Sequence, residues 1–298
     1  MKRIGLSLLA VSVLLLALEG IAQLVVGAKR KAMPPGPTLL DPALGWVFNP
    51  DYPGRSGKNA CGEPYRIEPF SHRLIVRPRA SGGRPLLFLG DSYTEAGRVS
   101  TGSAYYDVFD AETEGAFSVF AVGHSAWGHA QERLALDEVF PELQPEIVVW
   151  QLTGNDVRDN VFEFDNNSFL RGQQKPRPYY DPRTGEMKLR NPGIVLFDRS
   201  ILFRAGFKGL YKLDARRGWG LMRRIDRLNA LSREERERLA RQGLDVLDKL
   251  LAESVVRYPE TRFYGFAVAG EFDADYERIF KQNGANYFPR FYEQVEAV

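Results

Sequence analysis

The sequence predicts an α/β chain, a three-layer α/β/α sandwich built on a parallel sheet. Three observations carry this. Short apolar runs recur at Pro85–Leu89, Phe117–Val122, Ile147–Leu152 and Arg262–Val268, with the length and composition of buried strands. Helical patterns lie between them, from about His129 to Leu143 and from Ser232 to Arg257. That alternation argues for a parallel sheet with helices on its faces. Two of the runs also end in small polar residues, Gly90-Asp91-Ser92-Tyr93-Thr94 and Thr153-Gly154-Asn155-Asp156. Ligands of open parallel sheets bind beyond the C-terminal strand ends, so Ser92 and Asn155 are expected to face one crevice.

The chain has 298 residues, 44% of them hydrophobic, which suits one α/β domain with insertions. Lys plus Arg is 40 and Asp plus Glu 38, a net charge of +2, so nothing points to a nucleic-acid partner. The single cysteine, Cys61, excludes an intrachain disulfide, and no His or Cys lies at metal-ligand spacing from it. No metal or organic cofactor is implied.

Taken in order, residues 1–31 read as a membrane anchor or signal segment. Lys2-Arg3 precede a nearly continuous apolar run from Ile4 to Ala28, and Lys29-Arg30-Lys31 follow it. The run exceeds the ~20 residues that span a bilayer, although Glu19 and Gln23 interrupt it. An uncleaved anchor is expected over residues 4–28, its orientation left open by positive charge on both flanks, and cleavage near Gly20-Ile21-Ala22 would release the rest. Residues 32–84 read as a linker, marked by Pro34-Pro35-Gly36-Pro37, and an arm packed by aromatics such as Trp46 and Phe48. One or two short strands are expected between Arg66 and Arg77.

The periodic domain is read as 85–298. Within it a helix is expected from Ser103 and another over Asp273–Gln282, with a short strand at Asn286–Phe288 and a last helix near the end. Residues 160–230 read as an insertion, either a lid or a solvated excursion. Asp181-Pro-Arg-Thr-Gly185 in it has the look of a hairpin turn. Ser232-Arg-Glu-Glu235 is a capping box that opens the most secure helix.

The chemistry follows from the strand ends. A serine on a tight turn after a strand is exposed as a nucleophile. Its attack on an ester carbonyl creates an oxyanion that needs donors already in place. Backbone N–H groups after Ser92 and in the Gly123-His124-Ser125-Ala126-Trp127-Gly128 loop supply two, and the Asn155 amide supplies a third. Each block alone is a weak signal, but in this order, each after an apolar strand, they are a strong one.

At these residues the chain resembles the SGNH (GDSL-type) serine hydrolases, which have a flavodoxin-like fold. Gly90-Asp91-Ser92-Tyr93-Thr94 looks like the family's Gly-Asp-Ser-x-Thr block, and the resemblance makes Ser92 the nucleophile. Gly123–Gly128 is similar to the second block, with Ala121 and Ala126 at positions that carry asparagine and glycine in the family. The backbone donor there is Ala126, or Gly123 in the other register. Thr153-Gly154-Asn155-Asp156 resembles Gly-x-Asn-Asp, and Asn155 is the side-chain donor. Gly90 and Asp91 support the turn, and Asp156 starts a helix. The clear resemblance covers about residues 85–160. It implies a serine esterase, or an acyltransferase, acting through an acyl-enzyme on Ser92. The N-terminal segment fits a membrane-tethered subgroup, some of whose relatives act on acylated surface polysaccharides.

The family's last block, Asp-x-x-His, supplies the base and its carboxylate, and this sequence contains no such pattern. The first expectation is a truncated copy of a longer parent. The alternatives are a base-less, non-catalytic membrane-anchored protein that binds carbohydrate or a partner, and a substitute base such as His124 or His129. Asp91 is expected to be structural, not a catalytic acid.

Overall fold

The computed structural model of the protein describes residues 12–25, 36–77, 83–165, 175–190, 200–219 and 231–289. The chain divides into two compact units.

The smaller unit comprises Met1–Pro34, Asn167–Gln174 and Pro192–Leu231. Its described parts are a helix over residues 12–25 (α1) and the helix Ile201–Arg217 (α6). Glu19, which breaks the apolar run, has a structural partner. Its carboxylate accepts from Ser200 Oγ and from the N–H groups of Ile201 and Leu202, at 2.8–2.9 Å. Those N–H groups open α6 and have no acceptor inside the helix. Among the described residues no helix is long and apolar enough to cross a membrane. The basic flanks of the N-terminal run and the expected last helix lie outside the described residues.

The larger unit comprises Pro35–Asn166, Lys175–Asn191 and Ser232–Val298. Two antiparallel hairpins open it, β1 (Thr38–Asp41) with β2 (Gly45–Phe48) and β3 (Arg55–Lys58) with β4 (Pro64–Ile67). A six-stranded sheet follows, made of β5 (Ile75–Arg77), β6 (Arg84–Gly90), β7 (Phe117–Gly123), β8 (Ile147–Leu152), β11 (Arg262–Ala267) and β12 (Asn286–Phe288). Its order is β12-β11-β8-β6-β7-β5. Five strands are parallel, and β5 pairs antiparallel with β7. The sheet is therefore mixed, which corrects the parallel sheet expected from sequence. The three residues of β5 reach the edge straight from the arm, without the helical crossover that a parallel neighbour requires.

Counted along the chain, the five parallel strands lie in the order 2-1-3-4-5. The direction of winding reverses between β6 and β8, the switch point at which such sheets bind ligands.

Alternation along each strand decides what covers the sheet. Leu87, Leu89, Val122, Val148, Trp150 and Leu152 point to one face. They are buried with side chains of α4 (His129–Leu143), α7 (Arg233–Arg257) and α8 (Asp273–Gln282). Leu86, Phe88, Val119, Ala121 and Ile147 point to the other, where α3 (Tyr105–Glu112) contributes Tyr106. Beside α3 that face holds an open apolar cavity of 400 Å3, lined by Val149, Tyr264, Phe266 and Phe288 among others. The expected capping box is present at α7: Ser232 Oγ accepts from Glu235 N–H at 3.2 Å, and Glu235 Oε2 accepts from Ser232 N–H at 2.8 Å. In the insertion, β9 (Arg177–Asp181) and β10 (Glu186–Arg190) pair around the Asp181–Gly185 turn.

Candidate active site

The site is assembled where β6, β7 and β8 end. Gly90 closes β6, and a Cβ there would lie 2.5 Å from both Gln151 Oε1 and Thr94 Oγ1, so only glycine lets the turn pack. Asp91 is fully buried and caps the single-turn helix α2 (Ser92–Glu95), its Oδ1 accepting from Tyr93 N–H at 3.2 Å. Its other oxygen, Oδ2, accepts from Ser92 Oγ at 3.1 Å, Asn155 Nδ2 at 3.2 Å and Thr153 Oγ1 at 3.3 Å. One carboxylate thus brings the first and third blocks together. Ser92 is partly exposed at the head of α2.

Asn155 and Asp156 lie in α5 (Gly154–Asp159). Asn155 Nδ2 donates to Asp156 Oδ1 at 3.1 Å as well as to Asp91. In this resting arrangement both amide hydrogens have carboxylate partners. Asp156 is buried, and its Oδ2 accepts from Thr153 N–H at 2.7 Å. Burial raises the Asp156 carboxyl well above its ordinary range, helped by the neighbouring carboxylates of Asp91 and Glu132. Glu132 is raised in the same way by burial, while Trp150 Nε1, which donates to it at 2.7 Å, works against the shift.

The second block sits on the loop after β7. Gly123 lies so close to the first block that a Cβ would be 2.6 Å from Gly90 O. Ala126 has φ +64°, the left-handed region that favours glycine. The loop's amides are mostly committed. Ser125 N–H donates to Glu95 Oε2, Trp127 N–H to His124 O, Gly128 N–H to Gln131 Oε1 and His129 N–H to Asn160 Oδ1. Among the described residues the N–H of Ala126 has no partner, and neither has the N–H of Ser92.

Of the two histidines beside the second block, His129 is fully buried in α4. Its Nδ1 lies 2.7 Å from Asn160 Nδ2, and its Nε2 is 3.8 Å from Asp156 Oδ2. Burial lowers its pKa to about 3 against the opposing hydrogen bond from Asn160, so at neutral pH it is an uncharged core residue. His124 is also buried and stacks on Phe48 with ring centroids 4.4 Å apart. Its Nδ1 is 3.1 Å from Glu95 Oε2. Burial alone would raise Glu95, but His124 and the Ser125 N–H hold it down to about 2. Among the described residues no histidine nitrogen is hydrogen-bonded to Ser92 Oγ.

Several residues of the site carry no motif. Glu95 is three places after Ser92, on the same face of a helix, and that spacing is the one local sign of its role. Trp46 and Trp127, both buried, exchange contacts with the loop. Trp46 Nε1 donates to Ser125 O at 3.3 Å, and Trp127 Nε1 donates to Trp46 O at 3.2 Å. The stretch of the arm around Trp46 therefore belongs to the core. Arg177, at the start of β9, donates from Nη2 to Ala126 O at 2.7 Å. A lone arginine in an insertion gives no sign of this. Next to α2 lies a cavity of 530 Å3, lined by Phe70, Arg77, Glu95, Thr101, Tyr106 and Asp107 among others. No group of His, Cys, Asp and Glu able to hold a metal ion is found among the described residues.

No protein-family model matches the chain, and no curated protein is similar to it in sequence. Among solved structures it is similar to AlinE4, described as an SGNH-hydrolase family esterase. That likeness has 16% identity, 72% of this chain and 79% of that one covered, and a TM-score of 0.37. It is also similar to a mutant of Axe2, an acetyl-xylooligosaccharide esterase from Geobacillus stearothermophilus, at 14% identity. There 74% of this chain and 82% of that one are covered, with a TM-score of 0.35.

Proposed function

We propose that the protein is a serine esterase of the SGNH type, which takes up an acyl group on Ser92. The observation that carries this reading is the pair of unpartnered N–H groups, Ser92 and Ala126, on the loops that follow the neighbouring strands β6 and β7. One amide N–H on each of these two loops is what a developing oxyanion needs. Ser92 Oγ bonds to the acyl carbon while the two N–H groups hold the carbonyl oxygen; the ester C–O bond then breaks, and the serine proton leaves with the departing alcohol. Asn155 becomes the third donor once its amide turns from Asp91 to the substrate. Water then releases the acid, or a sugar hydroxyl accepts the acyl group. The cavity beside α2 combines the Phe70 ring with hydrogen-bonding groups. Ser92, Ala126 and Asn155 do not line it, and the glycan substrate is proposed from the resemblance to the membrane-tethered subgroup, not from this cavity. The apolar run over residues 4–28 supports a membrane-anchored protein that works outside the cytoplasm.

A second reading has its own observation. Ser92 Oγ donates to Asp91 and not to a base, and a serine without an adjacent base is a weak nucleophile. A membrane-anchored protein that binds acylated glycan or a partner without turnover fits this. Hydrolysis of p-nitrophenyl acetate by the 298-residue chain and by Ser92→Ala separates the two. The esterase reading predicts slow release that disappears in the variant. Equal rates in both proteins favour the binding reading.

A further inference from the structure

The geometry points to Arg177 as the residue that positions the Ala126 peptide, and hence the second oxyanion donor. The catalytic consequence rests on the esterase reading, and the positioning itself on the contacts of Arg177. Arg177 is 1% exposed. Its guanidinium faces Trp46, with Cζ 5.4 Å from the ring centroid, and pairs with Asp159 Oδ2 at 3.1 Å and Asp165 Oδ2 at 3.5 Å. Nη1 also donates to Asp159 O at 3.3 Å. With its charge met by two carboxylates and its plane held by the ring, the fork has one direction left for Nη2, the carbonyl of Ala126 at 2.7 Å.

That contact matters because Ala126 is in a conformation alanine disfavours. The loop is gripped on both sides of it. Glu95 Oε2 accepts from the N–H of Ser125, and Arg177 holds the carbonyl of Ala126. The Ala126 N–H itself lies in the Ser125–Ala126 peptide, whose carbonyl accepts from Trp46 Nε1 at 3.3 Å, and Trp46 is the ring that Arg177 faces, so Arg177 holds the next peptide directly and this one through Trp46. Asp159 closes α5, the helix that carries Asn155, so the same guanidinium joins the second and third blocks. A lysine keeps the charge but cannot form the planar fork.

The test compares Arg177→Lys and Arg177→Gln with Tyr179→Phe, all in the full chain. Tyr179→Phe removes the hydrogen bond from Tyr179 to Asp165 and leaves Arg177 and Ala126 joined. Two readouts are used: the second-order rate of Ser92 labelling by a fluorophosphonate, and the 15N–1H resonance of the Ala126 amide. Losing one oxyanion donor costs about 100- to 1000-fold. Misaiming it is therefore expected to slow labelling about 10- to 100-fold in both arginine variants, with the Ala126 resonance displaced. Tyr179→Phe is expected to label within about twofold of wild type, with the resonance unmoved. Arg177→Lys keeps a charge opposite Asp159 and Asp165, so it gives the answer if Arg177→Gln does not fold. Labelling of Arg177→Lys no slower than that of Tyr179→Phe overturns the assignment. If the wild-type chain is not labelled at all, the esterase reading fails, and the resonance alone decides the role of Arg177. A resonance that stays in place in Arg177→Lys overturns it.

Discussion

Asn155 Nδ2 and Asp91 Oδ2 are 3.2 Å apart, and the same oxygen accepts from Ser92 Oγ at 3.1 Å. A buried carboxylate with several donors is costly to remove, because the donors are left without an acceptor. Asp91→Ala is expected to lower stability by about 2–4 kcal/mol, and urea denaturation measures it. A loss under about 0.5 kcal/mol would mean that Asp91 does not order this site.

Ala126 tests the loop by another route. Its φ of +64° costs a non-glycine residue about 1–2 kcal/mol, offset in part by the greater unfolded-state freedom of glycine. Ala126→Gly is expected to be neutral or to stabilise by up to about 1 kcal/mol. Ala126→Val should destabilise by about 2 kcal/mol or more, since a β-branched residue fits the left-handed region worst. Thermal unfolding of the two variants would show equal Tm values if the residue were in an ordinary conformation.

Glu132 is raised well above its usual range by burial, which favours its neutral, protonated form. Glutamine is close to isosteric with that form and keeps an oxygen for Trp150 Nε1. Glu132→Gln is therefore expected to change stability by less than about 1 kcal/mol, against about 3–5 kcal/mol for breaking a buried ion pair. Chemical denaturation at pH 7 distinguishes the two cases.

His129 sets a pH dependence with a definite sign. Its folded value, about 3, lies below the 6.5 of an unperturbed histidine. Between those values the unfolded chain binds a proton that the folded chain does not. The stability from neutral, buried His129 is full above pH 6.5 and is lost as the pH falls toward 3. Asp159, raised to about 7 by burial, acts in the opposite sense, gaining stability on acidification from pH 7 toward 4. Asp159 is present in both proteins, so comparing wild type with His129→Gln isolates the histidine. Between pH 7 and pH 5 the wild-type Tm should fall more, or rise less, than that of the variant. Parallel curves would mean that His129 titrates normally.

The strands and helices legible in the sequence are those whose signal is local. Ile147–Leu152 is a continuous apolar run, and it is β8. Ser232 and Glu235 form their capping box three residues apart. The elements that escaped notice depend on distant partners. The hairpin strands β1 and β3 are four residues long and largely exposed, so they have little apolar periodicity of their own. Gly206 and Gly209 break the pattern of α6, whose first turn is satisfied by Glu19, far away in sequence. The direction of β5 follows from how the arm reaches the edge, which no local pattern encodes. In the site, the motif blocks mark the turns that hold Ser92, Ala126 and Asn155. Arg177 carries no such mark, because an arginine reads as a surface residue until Trp46, Asp159 and Asp165 are seen around it.

The central proposal is that Ser92 is the nucleophile and that the N–H groups of Ser92 and Ala126 are the oxyanion donors. The measurement that tests it most directly is intact-protein mass spectrometry after incubation of the 298-residue chain with a fluorophosphonate. The account predicts a single adduct, mapped by peptide digestion to Ser92 and absent from Ser92→Ala. No adduct on a folded chain, or an adduct on another residue that persists in Ser92→Ala, would contradict it.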